Sequence, residues 1–311
     1  MKKKYAIGAD IGGSHISTIL IDIEKGSMLA ESHAEQKVDN QASSNEILKN
    51  WAIAIKKTMD YARDGELVGI GFAMPGPFDY KTGVALLKNV AKYESLYGIN
   101  VGDELKKILN LPDSLPFRYL NDAMSFAIGE CWLGKAKTYK NVVAVTLGTG
   151  FGSAFLTDGV PVIEGGRVPK MGYVYHIPYE SGIADDYFST RWFLKKYFER
   201  TGIQVSGVKE IAERAATEAE AKKMFEDFGT NIGNFLSPLL QTFEAHCLVI
   251  GGNVTGAYSL FGPLFENALK RQNINIEIVI SELMESAAMA GSARLLDEEF
   301  WVKMEPLVSN I

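Results

Sequence analysis

Two short glycine-bearing segments constrain this chain more than any other feature. Gly8-Ala9-Asp10-Ile11-Gly12-Gly13-Ser14 and Thr146-Leu147-Gly148-Thr149-Gly150-Phe151-Gly152 each follow an apolar, β-branched run. Each leads into a second run that closes on Asp, namely Ile19-Leu20-Ile21-Asp22 and Phe155-Leu156-Thr157-Asp158. At an offset of 136 residues Gly12 meets Gly148, and Ser17, Leu20 and Asp22 meet Ser153, Leu156 and Asp158. A strand–turn–strand unit is therefore present twice. Glycine in such a turn has no Cβ to keep backbone N–H groups away from an anion. Two such turns facing each other across a cleft would hold a polyphosphate from both sides. A glycine turn at a strand end is also an ordinary hairpin needing a positive φ, so the turns alone leave both readings open.

With 311 residues, 47% hydrophobic and 23% charged, the chain has room for two soluble domains of ordinary size. A net charge of -6 argues against nucleic-acid binding by phosphate neutralisation. Cys131 and Cys247 are the sole cysteines, too few for a disulfide framework or a four-cysteine zinc site. Met1-Lys2-Lys3-Lys4 looks like the start of a signal peptide, but the apolar run behind it breaks at Asp10. No stretch approaches the length of a membrane span, so a cytoplasmic protein without membrane or nucleic-acid partners is expected.

The spacing predicts strands over 5–10 and 16–22, and a buried strand Val68-Gly69-Ile70-Gly71-Phe72-Ala73 stopped by Met74-Pro75-Gly76-Pro77. Between them Ile47, Leu48, Trp51, Ile55 and Met59 fall at helical spacing from Ser44, a candidate cap, to Arg63. Phe117–Leu120 reads as a short strand, after which Asn121 caps a helix to about Trp132. The second half repeats this with a hairpin over 142–157, helices near 186–200, 207–216 and 218–244, and the buried strand Cys247–Ile250 ending in Gly251-Gly252-Asn253. A strand over 274–279 and an Ala-rich helix over 286–296 follow. Strands alternating with helices imply an α/β fold. The domains expected are a smaller one, 1–120 plus about 298–311, and a larger one, 121–297, joined by a tight hinge near residue 121.

Three sites carry the chemistry. Asp10, ahead of Gly12-Gly13-Ser14, could hold Mg²⁺ through water while the glycines face phosphate oxygens; it could equally bond its own turn. Gly251-Gly252-Asn253 could let a flat purine lie against backbone, or be a tight turn. Asn121-Asp122 either starts a helix or supplies a base, Asp122, that accepts the proton of a substrate hydroxyl during phosphoryl transfer.

The ordered set D-I-G-G-S (10–14), G-I-G-F-A-M-P-G-P (69–77), N-D-A (121–123), T-L-G-T-G-F-G (146–152) and V-I-G-G-N-V (249–254) resembles the ROK family of repressors, open reading frames and sugar kinases. The likeness runs from residue 5 to about 296. It implies a two-domain hexokinase/actin-like (ribonuclease H-like) α/β fold with a duplicated core and an interdomain cleft, and an ATP-dependent sugar kinase working with Mg²⁺. By that resemblance Asp122 is the general base, and Asn89 and Asn121 bind sugar hydroxyls. Asp10, Gly12, Gly13, Ser14, Thr149, Gly150, Gly251, Gly252 and Asn253 belong to the nucleotide and its metal. A homodimer is implied as well. Pro75-Gly76-Pro77 followed by Thr82-Gly83 matches the family's sugar-side loop leading to Asn89.

The chain also departs from that pattern. Where the family has G-E-x-G-H, this sequence has Pro169-Lys170-Met171-Gly172-Tyr173, so Lys170 replaces a sugar-binding Glu and Tyr173 a zinc-binding His. No cysteine cluster follows, and structural zinc is expected to be absent. Asp185 stands where a second sugar-binding Glu is usual, one methylene shorter; His176 lies nearby, and His15 occupies a position where a basic residue is common. Lys has only donors and Glu only acceptors, so the pattern offered to the sugar inverts at position 170. The intact turns and Asn-Asp pair favour retained kinase chemistry on a hexose or derivative, one with an acidic group for Lys170 included. The alternatives are a catalytically weak sugar-binding or sensing protein and another phosphotransferase of the same fold. With nine residues before Asp10, a DNA-binding helix-turn-helix is not expected.

Overall fold

The computed structural model describes residues 2–311; Met1, which precedes the amino-terminal lysines, lies outside the described residues. The chain divides into two compact units, one running to Lys137 and resuming at Leu283–Ile311, the other Thr138–Glu282.

The first unit contains β1 (Lys3–Ile11), β2 (His15–Asp22), β3 (Ser27–Lys37), α1 (Ser44–Met59), β4 (Gly65–Met74), a short ladder β5 (Phe78–Asp79) and β6 (Val84–Ala85), α2 (Val101–Leu109), β7 (Phe117–Asn121), α3 (Asp122–Trp132), α9 (Glu285–Arg294) and α10 (Glu298–Val308). Its sheet has the order β3-β2-β1-β4-β7. The pairs β3/β2 and β2/β1 are antiparallel, and β1/β4 and β4/β7 are parallel. The second unit contains β8 (Asn141–Leu147), β9 (Phe151–Thr157), β10 (Val160–Pro161), the ladder β11 (Pro178–Tyr179) and β12 (Gly182–Ile183), α4 (Ala184–Tyr187), α5 (Thr190–Thr201), α6 (Val208–Arg214), α7 (Ala219–Phe243), β13 (Cys247–Gly251), α8 (Tyr258–Arg271) and β14 (Glu277–Ile280). Its sheet, β10-β9-β8-β13-β14, has the same pairing senses strand for strand. Each unit is thus a three-stranded meander whose first strand is central, extended by two parallel strands reached through helices. The duplication read from the glycine turns is present in the connectivity.

Each sheet forms because its middle strands are apolar on both faces. Ala6, Ile7, Leu20, Ile21, Ile70 and Phe72 are fully buried in the first unit, and Val142, Val143, Leu248 and Val249 in the second. α1 buries Ile47, Leu48, Trp51 and Ile55, and its first turn is capped by Ser43, not Ser44: the Ser43 hydroxyl accepts from the Glu46 amide. In the second unit α7 presents Phe225, Phe228, Ile232 and Leu236 to a core that also holds Phe151, Phe188 and Phe193.

The division differs from the expected boundaries at 120 and 297. α9 packs on the first unit's sheet and α3 packs on α9, through backbone contacts too close for side chains. A Cβ on Gly8 of β1 would lie 1.9 Å from the carbonyl oxygen of Met289 in α9, and one on Gly129 of α3 would lie 1.9 Å from that of Ala287. Such contact ties an Ala-rich helix to a strand some 280 residues earlier. α2, α8, α10 and the edge strand β3 are further elements that the apolar spacing does not announce; β3 is largely exposed, with only Ser32 and Ala34 buried along it. No helix among the described residues is long and apolar enough to cross a membrane.

Candidate active site

In the first unit β1, β4 and β7 run parallel and end together, with Asp10 in register with Ala73 and Met74 with Asn121. Open α/β sheets take ligands at the carboxyl ends of such strands. Here those ends deliver Asp10 and the 12–14 turn, Pro75, and Asn121-Asp122. Asn121 is the N-cap of α3: its Oδ1 accepts from the amides of Ala123 (3.1 Å) and Met124 (3.3 Å). Its Nδ2 donates to Asp122 Oδ1 at 2.9 Å, and the Ala123 amide donates to the same oxygen at 2.8 Å. These bonds hold the carboxylate by Oδ1. The Asp122 side chain stays open to solvent, so a hydroxyl can reach it, yet surrounding protein strips enough water to raise its pKa above the ordinary carboxylate value. The Ala123 amide, the Lys92 charge and the Asn121 amide act in the opposite direction.

Asp10 is perturbed in the same direction. Burial first, then the negative charges of Asp122 and Glu285, push its pKa up to about 8. Glu285, the first residue of α9, was not anticipated, since nothing local links it to a strand end near residue 10. His15 Nε2 lies 3.8 Å from a Glu285 oxygen.

The 12–14 turn is gripped by its carbonyls. The Tyr93 hydroxyl donates to Gly12 O at 2.7 Å, and Asn40 Nδ2 donates to Gly13 O. The Gly13 and Ser14 amides have no acceptor among the described residues, which leaves them for an anion. Tyr93 is buried, its phenol pushed up to about 12 by burial, with its ring against the edge of Trp51. It ends the segment carrying Asn89, which is exposed and left-handed at φ 59°. Glu94 Oε1 accepts from the amides of Val90 and Ala91, and Gln41 Nε2 donates to Ala91 O. The 89–94 segment and the glycine turn are therefore one bonded assembly. Tyr93 and Asn40 escape a sequence reading because both act through side-chain bonds to distant backbone.

In the second unit Thr146 and Gly251, in register on parallel strands, bring Thr149-Gly150 and Gly251-Gly252-Asn253 to one end of the sheet. Gly252 has φ 87°, and a Cβ there would lie 2.4 Å from Leu147 O, so only glycine lets these two turns meet. The Thr149 and Gly150 amides have no acceptor among the described residues. Lys170 is exposed at the start of a short 3₁₀ turn. That turn is fastened to β9 by Ser153 Oγ, which donates to Gly172 O (2.7 Å) and accepts from the Val174 amide (2.9 Å). Tyr173 follows, its ring 5.9 Å from that of Tyr175. Asp185 joins this segment to the glycine turn: its amide donates to Tyr175 O at 3.0 Å, and its Oδ1 accepts from the Phe151 amide at 2.7 Å. His176 is exposed beside Tyr175. A cavity of about 570 Å³ beside Arg191, lined also by Gly182, Tyr187, Trp192, Lys195 and Lys196, contains no residue of the 148–152 or 251–253 turns. Among the described residues no group of three or more His, Cys, Asp or Glu is arranged to hold a metal ion.

Comparison with known proteins agrees with this architecture. The sequence model of the ROK family matches residues 6–299. A glucokinase from Thermotoga maritima is 27% identical, the alignment covering 96% of this chain and 99% of that one. An N-acetyl-D-glucosamine kinase from Haemophilus influenzae is 26% identical over 83% of this chain and 86% of its own. Among solved structures, a ROK family glucokinase from Streptomyces griseus, in complex with glucose and AMPPNP, superposes with a TM-score of 0.74 at 20% identity, covering 94% and 99% of the two chains. The fold is therefore the two-domain hexokinase/actin-like fold with a duplicated core.

Proposed function

The chain belongs to the ROK family, and from that premise we propose that it is an ATP-dependent kinase transferring the γ-phosphoryl group to a hydroxyl of a hexose or hexose derivative. The observation that carries this reading is Asp122 at the mouth of α3, held through Oδ1 by Asn121 and the Ala123 amide and still open to solvent. A carboxylate, even one with a raised pKa, is far too weak to deprotonate an alcohol beforehand. The proton therefore moves late, as the new P–O bond acidifies the attacking oxygen. Such a base contributes about 10²–10⁴-fold, on the order of 3–5 kcal/mol of barrier.

In this reading Asn121 and Asn89 bind sugar hydroxyls, and the amides of Gly13, Ser14, Thr149 and Gly150 take nucleotide phosphate. Gly251, Gly252 and Asn253 take the nucleoside end. Asp10 fits a cation held through water, because a half-buried carboxyl beside Asp122 and Glu285 concentrates negative charge that a cation relieves. Mg²⁺, when bound, neutralises charge on the transferring phosphoryl group. Lys170 and Tyr173 meet the acceptor, and the donors of Lys170 favour one carrying an acidic group. A coupled ADP-release screen over hexoses, amino sugars and sugar acids tests the proposal. Turnover on at least one class is expected. Silence on all of them by folded protein that also fails to bind ATP would remove it.

The inverted hydrogen-bonding at Lys170 supports a second reading, a sugar-binding protein of weak catalytic power. It predicts saturable sugar binding with no ADP release in the same screen. A homodimer is proposed as the working assembly, and sedimentation equilibrium of the full chain tests it.

A further inference from the structure

Asp185 aligns with an acid expected to meet sugar, but its bonds run elsewhere. We propose that Asp185 is a positioning residue for the 148–152 glycine turn, held in place by Arg191, and not a sugar ligand. What the turn binds rests on the kinase reading; the brace itself rests on geometry alone.

The segment 184–190 holds the turn at both ends. Asp185 Oδ1 accepts from the Phe151 amide at 2.7 Å, and the Thr190 amide donates to Gly148 O at 2.8 Å. Oδ2 of Asp185 pairs with Arg191 on the next helix. The carboxylate lies against the turn itself, since a Cβ on Gly150 would come within 3.2 Å of Oδ1. The side chain is 19% exposed. The segment cannot drift, because Phe188 is buried against Phe151 and Phe235, and the Asp185 amide is tied to Tyr175 O.

Two consequences follow from the chemistry. With Phe151 N–H taken by Asp185, the amides left to an anion are those of Thr149 and Gly150, so the acid selects which donors the turn presents. A carboxylate beside a phosphate turn would repel phosphate; the Arg191 guanidinium, paired through Asp185 Oδ2, offsets that charge. With the side chain one methylene shorter than the usual Glu and paired with Arg191, an acid expected to accept from sugar serves instead as a brace for the nucleotide turn.

The test uses the full chain and the variants Asp185→Ala, Asp185→Asn and Arg191→Ala, with folding checked by circular dichroism. Amide exchange across 148–152 is measured without ligand, AMPPNP binding by calorimetry, and apparent KM for ATP and for the acceptor found in the screen. Asp185→Ala is expected to speed Phe151 exchange and weaken AMPPNP about tenfold, the loss of one hydrogen bond to a charged acceptor. Arg191→Ala weakens AMPPNP in the same direction, and acceptor KM stays within about twofold. Unchanged Phe151 protection overturns the brace, as does a rise in acceptor KM with ATP KM intact. If the wild-type chain ignores AMPPNP, the kinase reading fails while the exchange measurement still decides the brace. Should Asp185→Ala not fold, Asp185→Asn and Arg191→Ala are judged by the same criteria.

Discussion

Replacing Asp10 by Asn should stabilise the protein, and by more at high pH than at low. A carboxyl that ordinarily titrates at 3.8 and here titrates near pH 8 binds its proton more tightly in the native state than in the unfolded chain. Below about pH 4 both states are protonated and the site costs nothing. As pH rises from there to about 8 the unfolded chain gains charge that the native site resists, so native stability falls. Above pH 8 the full penalty is in place. At 1.36 kcal/mol for each pH unit between the two values, the ceiling is about 6 kcal/mol, of which about 4 kcal/mol accrues between pH 5 and 8.5. Relaxation and water entry reduce such penalties two- to threefold, leaving on the order of 1.3–2 kcal/mol for that interval. Neutral Asn stands for the protonated acid at every pH and escapes the penalty. Urea unfolding of wild-type and Asp10→Asn protein in EDTA, at pH 5 and 8.5, measures the difference. The reasoning fails if the variant's advantage is the same at both pH values within about 0.5 kcal/mol, or if it is the less stable protein at pH 8.5. Mutation at a functional carboxylate that stabilises the fold is the expected signature of charge gathered for a ligand.

The other predictions concern the turns and the base. Asp122→Asn should lower kcat by about 10²–10⁴ while leaving AMPPNP affinity within about threefold, and retention of a tenth of wild-type turnover would remove Asp122 as base. Tyr93→Phe deletes the hydroxyl that holds Gly12 O, and should weaken AMPPNP about three- to tenfold for a loss of about 1 kcal/mol; an unchanged affinity means the turn holds itself. Gly252→Ala forces a Cβ to 2.4 Å from Leu147 O at φ 87°, and should destabilise the second unit by about 2–4 kcal/mol. Calorimetry should then show a melting temperature lower by at least about 4 °C, and a drop under 1 °C would contradict the packing.

Much of this was written locally. The repeat of Gly12 on Gly148 and of Asp22 on Asp158 announces two copies of one strand–turn–strand unit, because a tight turn between buried strands needs glycine whatever surrounds it. Asn121 as a helix cap was legible for the same reason: its side chain bonds amides two and three residues on. The tertiary structure alone decided where α9 belongs, since its contact with Gly8 joins residues some 280 apart and no periodicity encodes a partner. It also decided what the acids are. In sequence Asp10 and Asp122 stand out as candidate metal and base positions, Asp185 reads as an acid aimed at sugar, and Glu285 is one carboxylate among many. Folding gathers Asp10, Asp122 and Glu285 until one resists ionisation and turns Asp185 onto the Phe151 amide. Charge and hydrogen bonding act through space, so residue type and spacing fix which groups are available, and only the packed chain fixes what each of them meets.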